Sequence, residues 1–460
     1  MATRSSRHRP AREILGVVPS VVPGVRWPGV PSPPAATILA LHDQLSQSQW
    51  WPAARLRAMQ LGQLTELLAH ARRTVPHYER HLPRAGRLTW KAFRSLPILT
   101  RATVQEDPAT LVSRAVPTAH GATGDIRSSG STGRPVELKA THLTISFRQA
   151  LYLREHVWQG RDFRQTVAAI RNLPDSDGMP PHGTLTAGWV PAYSTAPTVA
   201  LNIRATVDEQ LRWLERMRPA YLVTFPTNLR ALLLRALETG FALPGPRQVS
   251  TFAEPVPPGL RELTWRVLAA PLSDIYSAEE TGPMAFQCGV REGYHVQSEH
   301  LIVEVVDEAG RPCRPGTVGR VIVTDLHNFA TPLIRYEIGD VAEPGPPCPC
   351  GRELPVLSRV LGRARNMLRL PGGHQRWPSL PSGDVLGRMA PVRQFQLAQT
   401  GPAALVLRLV VARPLTADEE ATVHAAFLAD LGEGFALRIA YVDSIPRMPS
   451  GKYEDVRVEF

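Results

Sequence analysis

The chain has 460 residues, of which 43% are hydrophobic and 20% charged; this composition excludes a disordered or fibrous protein and predicts a soluble globular chain of two or three domains. No apolar run reaches the length needed to span a bilayer, so no membrane partner is expected. The net charge of +11 is compatible with a protein that binds nucleic acid. The basic residues, however, are scattered without long runs or interleaved aromatic side chains, so no nucleic-acid partner is expected either.

Lysine is rare among the basic residues. Only three of the 52 arginines and lysines are lysines, namely Lys91, Lys139 and Lys452. Lysine carries a compact ammonium on a flexible stem, whereas arginine carries a planar fork, so a lysine retained in this chain marks a position that arginine does not serve. Four cysteines in a chain of this length indicate a reducing compartment or a metal site rather than a disulfide scaffold, and the cytoplasm is the expected location.

The N-terminal segment, residues 1–35, is rich in proline and arginine and is predicted to be a flexible arm. Prolines interrupt its apolar run and no small-residue cleavage site follows, so a signal peptide is not expected. A helix is predicted to begin near Pro52. Val75-Pro76 ends it, because the residue before a proline avoids helical backbone angles.

A segment rich in glycine, serine and threonine runs from Gly121 to Leu138. Its glycines let the backbone turn N–H groups inward and its hydroxyl groups add donors, so the segment can wrap phosphate oxygens. No Gly-Lys-Ser/Thr leads into a helix, so it is not a Walker loop, and a flexible linker is the alternative. The candidate phosphate contacts are Ser128, Ser129, Gly130, Ser131, Thr132 and Gly133.

Residues 206–277 alternate between helical and strand patterns. Thr206-x-x-Glu209 predicts a capped helix through Met217. The later predicted elements are a strand at Tyr221, a helix from about Thr227 to Thr239, a strand at Gln248, a helix from Pro258 to Ala269 and a strand at Asp274. This order predicts a parallel sheet with helices on its faces, and ligands bind such sheets beyond the carboxyl ends of the strands. The segments at those ends are Phe225-Pro226-Thr227, Ala253-Glu254-Pro255 and Glu279-Glu280-Thr281.

After residue 285 the pattern changes to short strands joined by glycine turns, which predicts an antiparallel, barrel-like unit over about 285–361. Cys288 and His295 stand near its beginning, and Cys348 and Cys350 near its end. Three thiolates and one imidazole make the closed tetrahedral set typical of structural zinc. The alternative is a group of buried cysteines beside a surface histidine.

The stretch from Phe329 to Asn366 holds an Arg-Tyr-x-x-Gly-Asp cluster, a Cys-x-Cys and a Gly-Arg turn. Asp340 follows Gly339 at the predicted end of a strand, where a carboxylate can accept hydrogen bonds from both hydroxyl groups of a ribose. Arg363, placed at a turn by Gly362, can reach the same sugar or its phosphate with a planar set of donors. Taken singly, each residue is more typical of a solvated loop, and it is the cluster that favours a nucleotide site.

The residues after Gly362 are predicted to form a small α+β unit. Its strands are expected at about 393–399, 404–412 and 435–442, and its helix at 417–430. The tail, IPRMPSGKYEDVR, places Lys452 in a loop of proline, serine and glycine. A frayed terminus is the alternative for this tail.

These motifs together resemble those of the phenylacetate–coenzyme A ligase branch of the adenylate-forming enzymes. The resemblance rests on SSGSTGRP at 128–135, AEP at 253–255, YSAEETG at 276–282, RYEIGD at 335–340, CPCG at 348–351 and LGR at 361–363. It implies an α/β fold with a large N-terminal domain (36–361) of helix-flanked sheets, which carries the small antiparallel barrel-like unit. A small, mobile α+β C-terminal domain (362–460) follows.

The resemblance also implies a role for each candidate residue. The two catalytic candidates are Glu280, which holds Mg²⁺ beside the phosphates of ATP, and Lys452, which contacts the attacking carboxylate and the α-phosphate. The glycine-rich loop meets the phosphates, and the remaining nucleotide contacts are Ala253, Glu254, Pro255, Tyr276, Asp340 and Arg363. The zinc set, as in zinc-bearing members of the branch, is Cys288, His295, Cys348 and Cys350.

The implied reaction is ATP-dependent activation of a carboxylic acid through an acyl-adenylate, followed by transfer of the acyl group to coenzyme A. The expected partners are a small carboxylic acid, aromatic by the resemblance alone, and coenzyme A; a homodimer is left open. One alternative is an adenylating enzyme that delivers the acyl group to an acyl carrier protein thiol or to an amine. The other is a degenerate nucleotide-binding or zinc-stabilised interaction protein without turnover.

Two departures from the family pattern bear on these alternatives. Glu279 stands where a serine or threonine is usual, and Phe252 stands where a glycine is usual. Both support the protein without turnover, whereas four intact residues oppose it, namely Glu280, Asp340, Arg363 and Lys452. The sequence therefore favours an enzyme.

Overall fold

The computed structural model describes residues 16–83, 86–128, 135–370, 374–378, 380–381, 383–431 and 434–460. Within these residues, the strands form a twelve-stranded sheet, a four-stranded sheet and two two-stranded sheets, with helices packed around them. None of the helices found there is both long and apolar enough to cross a membrane.

Helices dominate the first hundred described residues and later alternate with strands. They are α1 (Pro33–Ser48), α2 (Ala53–Thr74), α3 (Pro76–His81), α4 (Trp90–Arg94), α5 (Arg101–Glu106), α6 (His142–Trp158), α7 (Val207–Met217), α8 (Pro226–Thr239), α9 (Leu260–Leu268), α10 (Gly383–Met389) and α11 (Ala417–Leu431). As predicted, the helix that begins after Pro52 ends at Val75, which has an extended backbone.

The strands begin at residue 123. They are β1 (Thr123–Arg127), β2 (Glu137–Thr141), β3 (Val167–Arg171), β4 (Thr184–Thr186), β5 (Thr198–Asn202), β6 (Tyr221–Thr224), β7 (Gln248–Phe252), β8 (Leu272–Ala278), β9 (Gly282–Gln287), β10 (Tyr294–Val296), β11 (Leu301–Val306), β12 (Gly319–Asp325), β13 (Tyr336–Pro344), β14 (Val356–Arg363), β15 (Leu368–Arg369), β16 (Gln375–Arg376), β17 (Val392–Gly401), β18 (Ala404–Val411), β19 (Ala436–Tyr441) and β20 (Val456–Val458). Besides the two larger sheets, they form the pairs β1-β2 and β15-β16.

Two predicted helix starts carry complete capping boxes. At α7 the N–H of Glu209 donates to Thr206 Oγ1 at 3.3 Å, and the N–H of Thr206 donates to the Glu209 carboxylate at 2.8 Å. Thr416 and Glu419 make the same exchange at α11, at 3.2 and 2.9 Å. Each box satisfies N–H groups that a helix start leaves unpaired, which is why this local sequence determines where the helix begins.

The parallel sheet predicted from the alternating elements is confirmed. Strands β5, β3, β6, β7 and β8 lie side by side, and each pairs with its neighbour in parallel. A core of buried residues from these strands and from α7, α8 and α9, including Trp213, Leu222, Leu232 and Val249, packs between helices and sheet. Buried strands with helices on their faces are the expected arrangement for such a sheet.

The antiparallel strands expected over about 285–361 continue the same sheet. The hydrogen-bonded order runs β11-β12-β13-β14-β10-β9-β8-β7-β6-β3-β5-β4, twelve strands in all within the described residues. The connection is the pair of β8 and β9, which reverses direction at Gly282, where φ is +72°. The barrel-like unit is therefore a continuation of the parallel sheet through this tight turn.

The C-terminal residues form the expected small α+β unit. Its sheet has the order β19-β18-β17-β20, with β17 and β18 antiparallel and the two outer pairs parallel. Helix α11 contributes Val423, Phe427 and Leu431 to a core that also contains Leu397 and Leu407. The fold class, a large sheet-rich α/β part followed by a smaller α/β part, is thus confirmed.

A pair of stacked histidine rings lies between α6 and the antiparallel strands. The rings of His300 and His327 stack, with their Nδ1 atoms 3.1 Å apart. The Phe147 ring stacks on His327 with 3.8 Å between the ring centroids. Burial lowers the pKa of each imidazole to about 3, with Arg148 adding to the effect on His300. Both rings therefore stay neutral in the folded protein well below the ordinary histidine pKa of about 6.5.

Replacing His327 with phenylalanine is expected to make the fold less sensitive to acid. The unfolded chain protonates this imidazole near pH 6.5, while the folded chain does so only near pH 3, so stability is lost as the pH falls through that window. His327→Phe keeps the stacking and removes one titrating group, worth about 1.4 kcal/mol per pH unit. Thermal unfolding midpoints at pH 7 and pH 5 measure the difference, with the exposed His182→Phe as control. An unchanged acid sensitivity in His327→Phe would contradict this account.

Candidate active site

Asp340 on β13 lies opposite Arg363 on β14. The end of β8, a strand of the same sheet, comes close to this pair. Arg363 Nε is 3.2 Å from Asp340 Oδ1, and the Tyr276 hydroxyl donates to Asp340 Oδ2 at 2.8 Å. Arg363 also donates to the carbonyl of Ile338 at 2.8 Å. Each carboxylate oxygen has two lone pairs, so Asp340 can still accept two hydroxyl groups. Three residues predicted separately are therefore in one cluster.

The side chain of Glu280 is buried beside an arginine from a distant part of the chain. Arg101, the first residue of α5, lies 2.9 Å from the Glu280 carboxylate. Its guanidinium also donates to the Tyr336 hydroxyl and to Ser128 Oγ, both at 3.3 Å. A buried carboxylate needs such a charge-paired, hydrogen-bonded neighbour. Arg101 thus neutralises Glu280 and links it to the glycine-rich segment.

A second arginine holds the backbone that carries Glu280. Arg148, on α6, donates to the carbonyl oxygens of Glu279 and Glu280 at 3.3 and 2.8 Å. Asp325 lies 3.6 Å from the same guanidinium and balances its charge. The Arg148 side chain passes so close to Gly282 that a Cβ there would lie 2.6 Å from Arg148 Cδ. Glycine is required at this turn both for its positive φ and for this contact.

The glycine-rich segment is described only at its ends. Ser128 Oγ accepts a hydrogen bond from the N–H of Val136 at 2.7 Å, which closes the base of the segment. The other predicted phosphate contacts, Ser129, Gly130, Ser131, Thr132 and Gly133, lie outside the described residues. Their role stays a prediction.

The Ala253-Glu254-Pro255 segment follows β7 and has an unusual backbone. Ala253 has a φ of +69°, in the left-handed region that side chains other than glycine rarely adopt. Pro255 packs against Gly362, where a Cβ would lie 2.9 Å from Pro255 Cγ. The segment therefore lies beside the turn that carries Arg363. The Glu254 carboxylate is buried, and its hydrogen-bond partners include the N–H of Tyr453 at 2.6 Å.

The C-terminal loop brings Lys452 to the same place. Burial lowers the pKa of its ammonium, Arg363 adds to that effect, and the carboxylates of Asp340, Glu254 and Glu280 oppose it. These opposing charges act on Lys452 because the loop packs against the large sheet. A cation beside Asp340, Arg363 and Glu280 is placed to stabilise negative charge that develops on a substrate.

The four predicted zinc ligands also come together. The ligand atoms of Cys288, His295, Cys348 and Cys350 all lie within 4.8 Å of one another. Cys288 Sγ is 3.7 Å from Cys348 Sγ, and Cys350 Sγ is 3.3 Å from His295 Nε2. Tetrahedral zinc with bonds of about 2.0–2.3 Å needs ligand separations of this size. Burial lowers the pKa of His295 to about 4, which keeps the imidazole in its neutral, metal-binding form, so the donor set fits zinc.

The chain is similar to known proteins in both sequence and fold. Residues 384–458 match the CapK C-terminal domain family. A phenylacetate–coenzyme A ligase from Thermus thermophilus is 28% identical over 344 residues, which cover 70% of this chain and 73% of that protein. The structure of a 2-hydroxyisobutyryl-CoA ligase in the postadenylation state, in complex with 2-HIB-AMP, aligns with a TM-score of 0.70 at 20% identity, covering 90% of this chain and 92% of the other.

In sequence, the chain is similar to phenylacetate–coenzyme A ligases. The same 2-hydroxyisobutyryl-CoA ligase in the thioesterification state, in complex with 2-HIB-AMP and CoA, aligns with a lower TM-score of 0.56 at 19% identity, covering 89% of this chain and 90% of that one. The two alignments cover nearly the same share of this chain.

Two residues around Glu280 could not be predicted from the sequence. Arg101 and Arg148 are 179 and 132 residues away from Glu280 along the chain, and nothing in their local sequence separates them from the many other arginines.

The two departures from the family pattern have different surroundings. The ring of Phe252 packs against that of Phe225 with centroids 4.9 Å apart, beside the helix core. The Glu279 side chain is exposed, while its carbonyl is held by Arg148. Neither departure displaces Glu280 from Arg101. Among the described residues, Glu280 and the cluster of Tyr276, Asp340 and Arg363 therefore keep their contacts despite both changes.

Proposed function

We propose that this protein is an ATP-dependent acid–thiol ligase that activates a carboxylic acid as an acyl-adenylate and transfers the acyl group to coenzyme A. The observation that carries the proposal is the docking of the Lys452 loop, in which the N–H of Tyr453 donates to Glu254 at 2.6 Å and the Lys452 ammonium comes within electrostatic range of Asp340, Arg363 and Glu280. A carboxylate attacking the α-phosphorus of ATP gains from a nearby ammonium, because negative charge grows on the transferring group. Pyrophosphate leaves, and no covalent enzyme intermediate is needed.

The nucleotide contacts follow from the geometry of the cluster. Asp340 accepts the ribose hydroxyl groups, with Tyr276 and Arg363 fixing its two oxygens. Arg363 reaches the sugar or the α-phosphate, and the backbone of Ala253, Glu254 and Pro255 lies against the adenine. The glycine-rich segment from Ser128 to Gly133 is proposed to meet the phosphates. Its first residue, Ser128, lies 3.3 Å from Arg101, the arginine that is paired with Glu280.

Two metal ions belong to the proposal. Glu280 would hold Mg²⁺, which offsets the charge of the triphosphate when bound. Arg101, now paired with Glu280, would turn to the phosphates as the metal takes its place. Zn²⁺ would sit among Cys288, His295, Cys348 and Cys350 as a structural ion that ties β9 and β10 to the loop between β13 and β14.

We also propose a division into a large domain, residues 36–361, and a mobile small domain, residues 362–460. The small domain carries Lys452, so this residue can leave the site when the domain turns. The higher TM-score with a postadenylation state than with a thioesterification state supports a small domain docked for adenylation. The arm of residues 1–35, a homodimer and a cytoplasmic location stay predictions.

The acid is proposed to be aromatic. A cavity of about 220 Å³ lies beside α6 and is lined by Tyr152, His156, Trp189 and neighbouring residues. Glu279 and Ser277, which follow Tyr276 in the chain, both act on the pKa of the Tyr152 hydroxyl, so the cavity lies near the nucleotide cluster. Aromatic walls favour a flat ring through offset or edge-to-face contacts.

ATP–pyrophosphate exchange across a panel of acids tests the function. Phenylacetate, benzoate, anthranilate and 2-hydroxyisobutyrate form the first panel, with aliphatic acids for contrast, and at least one aromatic acid is expected to support exchange. Coenzyme A, a phosphopantetheinylated carrier protein and simple amines are then compared as acceptors, with the coenzyme A thioester the expected product. ATP binding without exchange for any acid would overturn the enzyme and favour a nucleotide-binding protein.

Replacing Gly282 with alanine is expected to weaken magnesium-dependent nucleotide binding at least tenfold. The new Cβ would lie 2.6 Å from Arg148 Cδ, so Arg148 must release the carbonyl oxygens that hold Glu280. Gly240→Ala is the matched control, because Gly240 also has a positive φ but a Cβ added there would meet no atom of the described residues within 4 Å. Calorimetric titration with ATP and Mg²⁺ measures both variants. Equal binding by the two would contradict the role given to the Arg148 contact.

A further inference from the structure

The loop that carries Lys452 is fastened to the large sheet by one buried carboxylate. Glu254 Oε1 accepts a hydrogen bond from the N–H of Tyr453 at 2.6 Å. Glu254 Oε2 accepts from the N–H and the hydroxyl of Thr227, at 3.1 and 2.7 Å. Thr227 and Glu254 follow β6 and β7, at the carboxyl ends of the parallel strands, while Tyr453 belongs to the C-terminal unit. The side chain of Glu254 thus joins the two units.

Arg447 completes the attachment from the loop side. Its guanidinium donates to Thr227 Oγ1 at 3.0 Å and to the carbonyl of Gly451 at 3.1 Å, and it lies 3.6 Å from Glu254. Gly451 and Tyr453 flank Lys452 in the chain. The peptide groups on both sides of Lys452 are therefore held by the same small network, which fixes the direction in which its side chain leaves the backbone.

The energetic character of this network differs from that of an ordinary surface ion pair. The Glu254 side chain is 3% exposed, and burial raises its pKa while Arg447 opposes the rise. A buried ion pair adds little net stability, because desolvation offsets the attraction, but removing one partner is strongly unfavourable. Such a pair is therefore suited to choosing one arrangement over another. Turning the C-terminal unit would take Tyr453 and Arg447 away and leave Glu254 with Thr227 alone.

We propose that Glu254 is a positioning residue for Lys452: it latches the C-terminal unit in the orientation that serves adenylation, and the latch must open before the acyl group is transferred to the thiol. This inference rests on the proposed function and changes the role given to Glu254, from a nucleotide contact to an anchor for the C-terminal loop. The adenine then meets the backbone of the segment rather than this side chain.

The test compares two acidic residues of the large unit that both face the C-terminal unit. Glu254→Ala removes the latch, and Glu254→Gln keeps a carbonyl acceptor for Tyr453. Glu238→Ala is the matched control, because Glu238 pairs with Arg393 of the C-terminal unit at an exposed position away from Lys452. For each variant, ATP–pyrophosphate exchange reports adenylation, and single-turnover conversion of a supplied acyl-adenylate with coenzyme A reports transfer.

Glu254→Ala is expected to lower the kcat of exchange at least tenfold while transfer changes less than threefold. Glu254→Gln should recover part of the loss, and Glu238→Ala should leave both half-reactions near the wild-type rates. Equal losses in both half-reactions, or no greater loss in Glu254→Ala than in Glu238→Ala, would overturn the latch.

A readout without turnover separates failure of the latch from failure of the proposed function. Amide hydrogen exchange in a peptide spanning Tyr453 is expected to be slow in the wild type and at least tenfold faster in Glu254→Ala, with no change in Glu238→Ala. A protein that shows this pattern but no exchange of pyrophosphate has the latch and lacks the activity. Unchanged protection in Glu254→Ala would overturn the latch whatever the activity.

Discussion

Replacing Lys452 with alanine is expected to slow acyl-adenylate formation about 10²–10³-fold, the usual loss when one preorganised charge-stabilising group is removed. Transfer from a supplied acyl-adenylate to coenzyme A should change little, because Lys452 leaves the site when the C-terminal unit turns. Lys452→Arg is expected to restore only a small part of the rate, since the broader, planar guanidinium would crowd Arg363, which already acts on the ammonium. Rapid-quench measurement of acyl-AMP distinguishes the two steps.

Lys139→Ala is the control for this experiment, because Lys139 pairs with Asp125 on the surface, where both side chains are exposed. The pH dependence gives a second check. The Lys452 ammonium has a pKa below its ordinary value of 10.5, so adenylation should fall as the pH rises through that lowered pKa. The arginine variant should lack this alkaline decline. Adenylation by Lys452→Ala at the wild-type rate would remove the residue from the mechanism.

Substituting Cys348 with serine is expected to release a bound zinc ion and to lower the thermal unfolding midpoint by about 10 °C, since a structural zinc site contributes directly to folding. Cys348 and Cys350 lie in the loop between β13 and β14, and His295 lies on β10, which pairs with β14. Loss of the ion would free that loop from the sheet. Nucleotide binding should weaken as well, because β13 and β14 carry Asp340 and Arg363.

Metal analysis by mass spectrometry and thermal unfolding measure these effects. Cys313→Ser is the matched control, since Cys313 lies outside the four-ligand cluster and should keep one zinc ion per chain. Prolonged treatment of the wild type with a chelator should reproduce the Cys348→Ser midpoint. A wild-type protein purified without any metal, and as stable with chelator as without, would contradict the zinc assignment.

Local sequence signals predicted much of the fold. The capping boxes at Thr206 and Thr416 and the break at Val75-Pro76 fixed element boundaries because each depends on residues within one turn. The grouping of the cysteines and His295 followed from the small number of ways in which thiols are used in a reduced chain. These features need no knowledge of the tertiary structure.

Features that depend on distant pairings could not be predicted in the same way. Glu254 meets Tyr453 across 199 residues, and its side chain accepts a backbone N–H, a donor that every residue except proline offers. The joining of antiparallel to parallel strands at β8 and β9 likewise depends on which edges meet in the folded chain. Periodicity gives the faces of strands but not their neighbours.

The continuous twelve-stranded sheet, with β11 at one edge and β4 at the other, has a practical consequence for protein engineering. A truncated chain that ends before β9 would leave β8 with a row of unpaired N–H and C=O groups along a partly buried strand. Bare edges of this kind recruit further strands and lead to aggregation. Expression fragments should therefore keep residues 272–363 together, and insertions of tags or reporters belong at the short outer strand β4, whose three residues are all exposed.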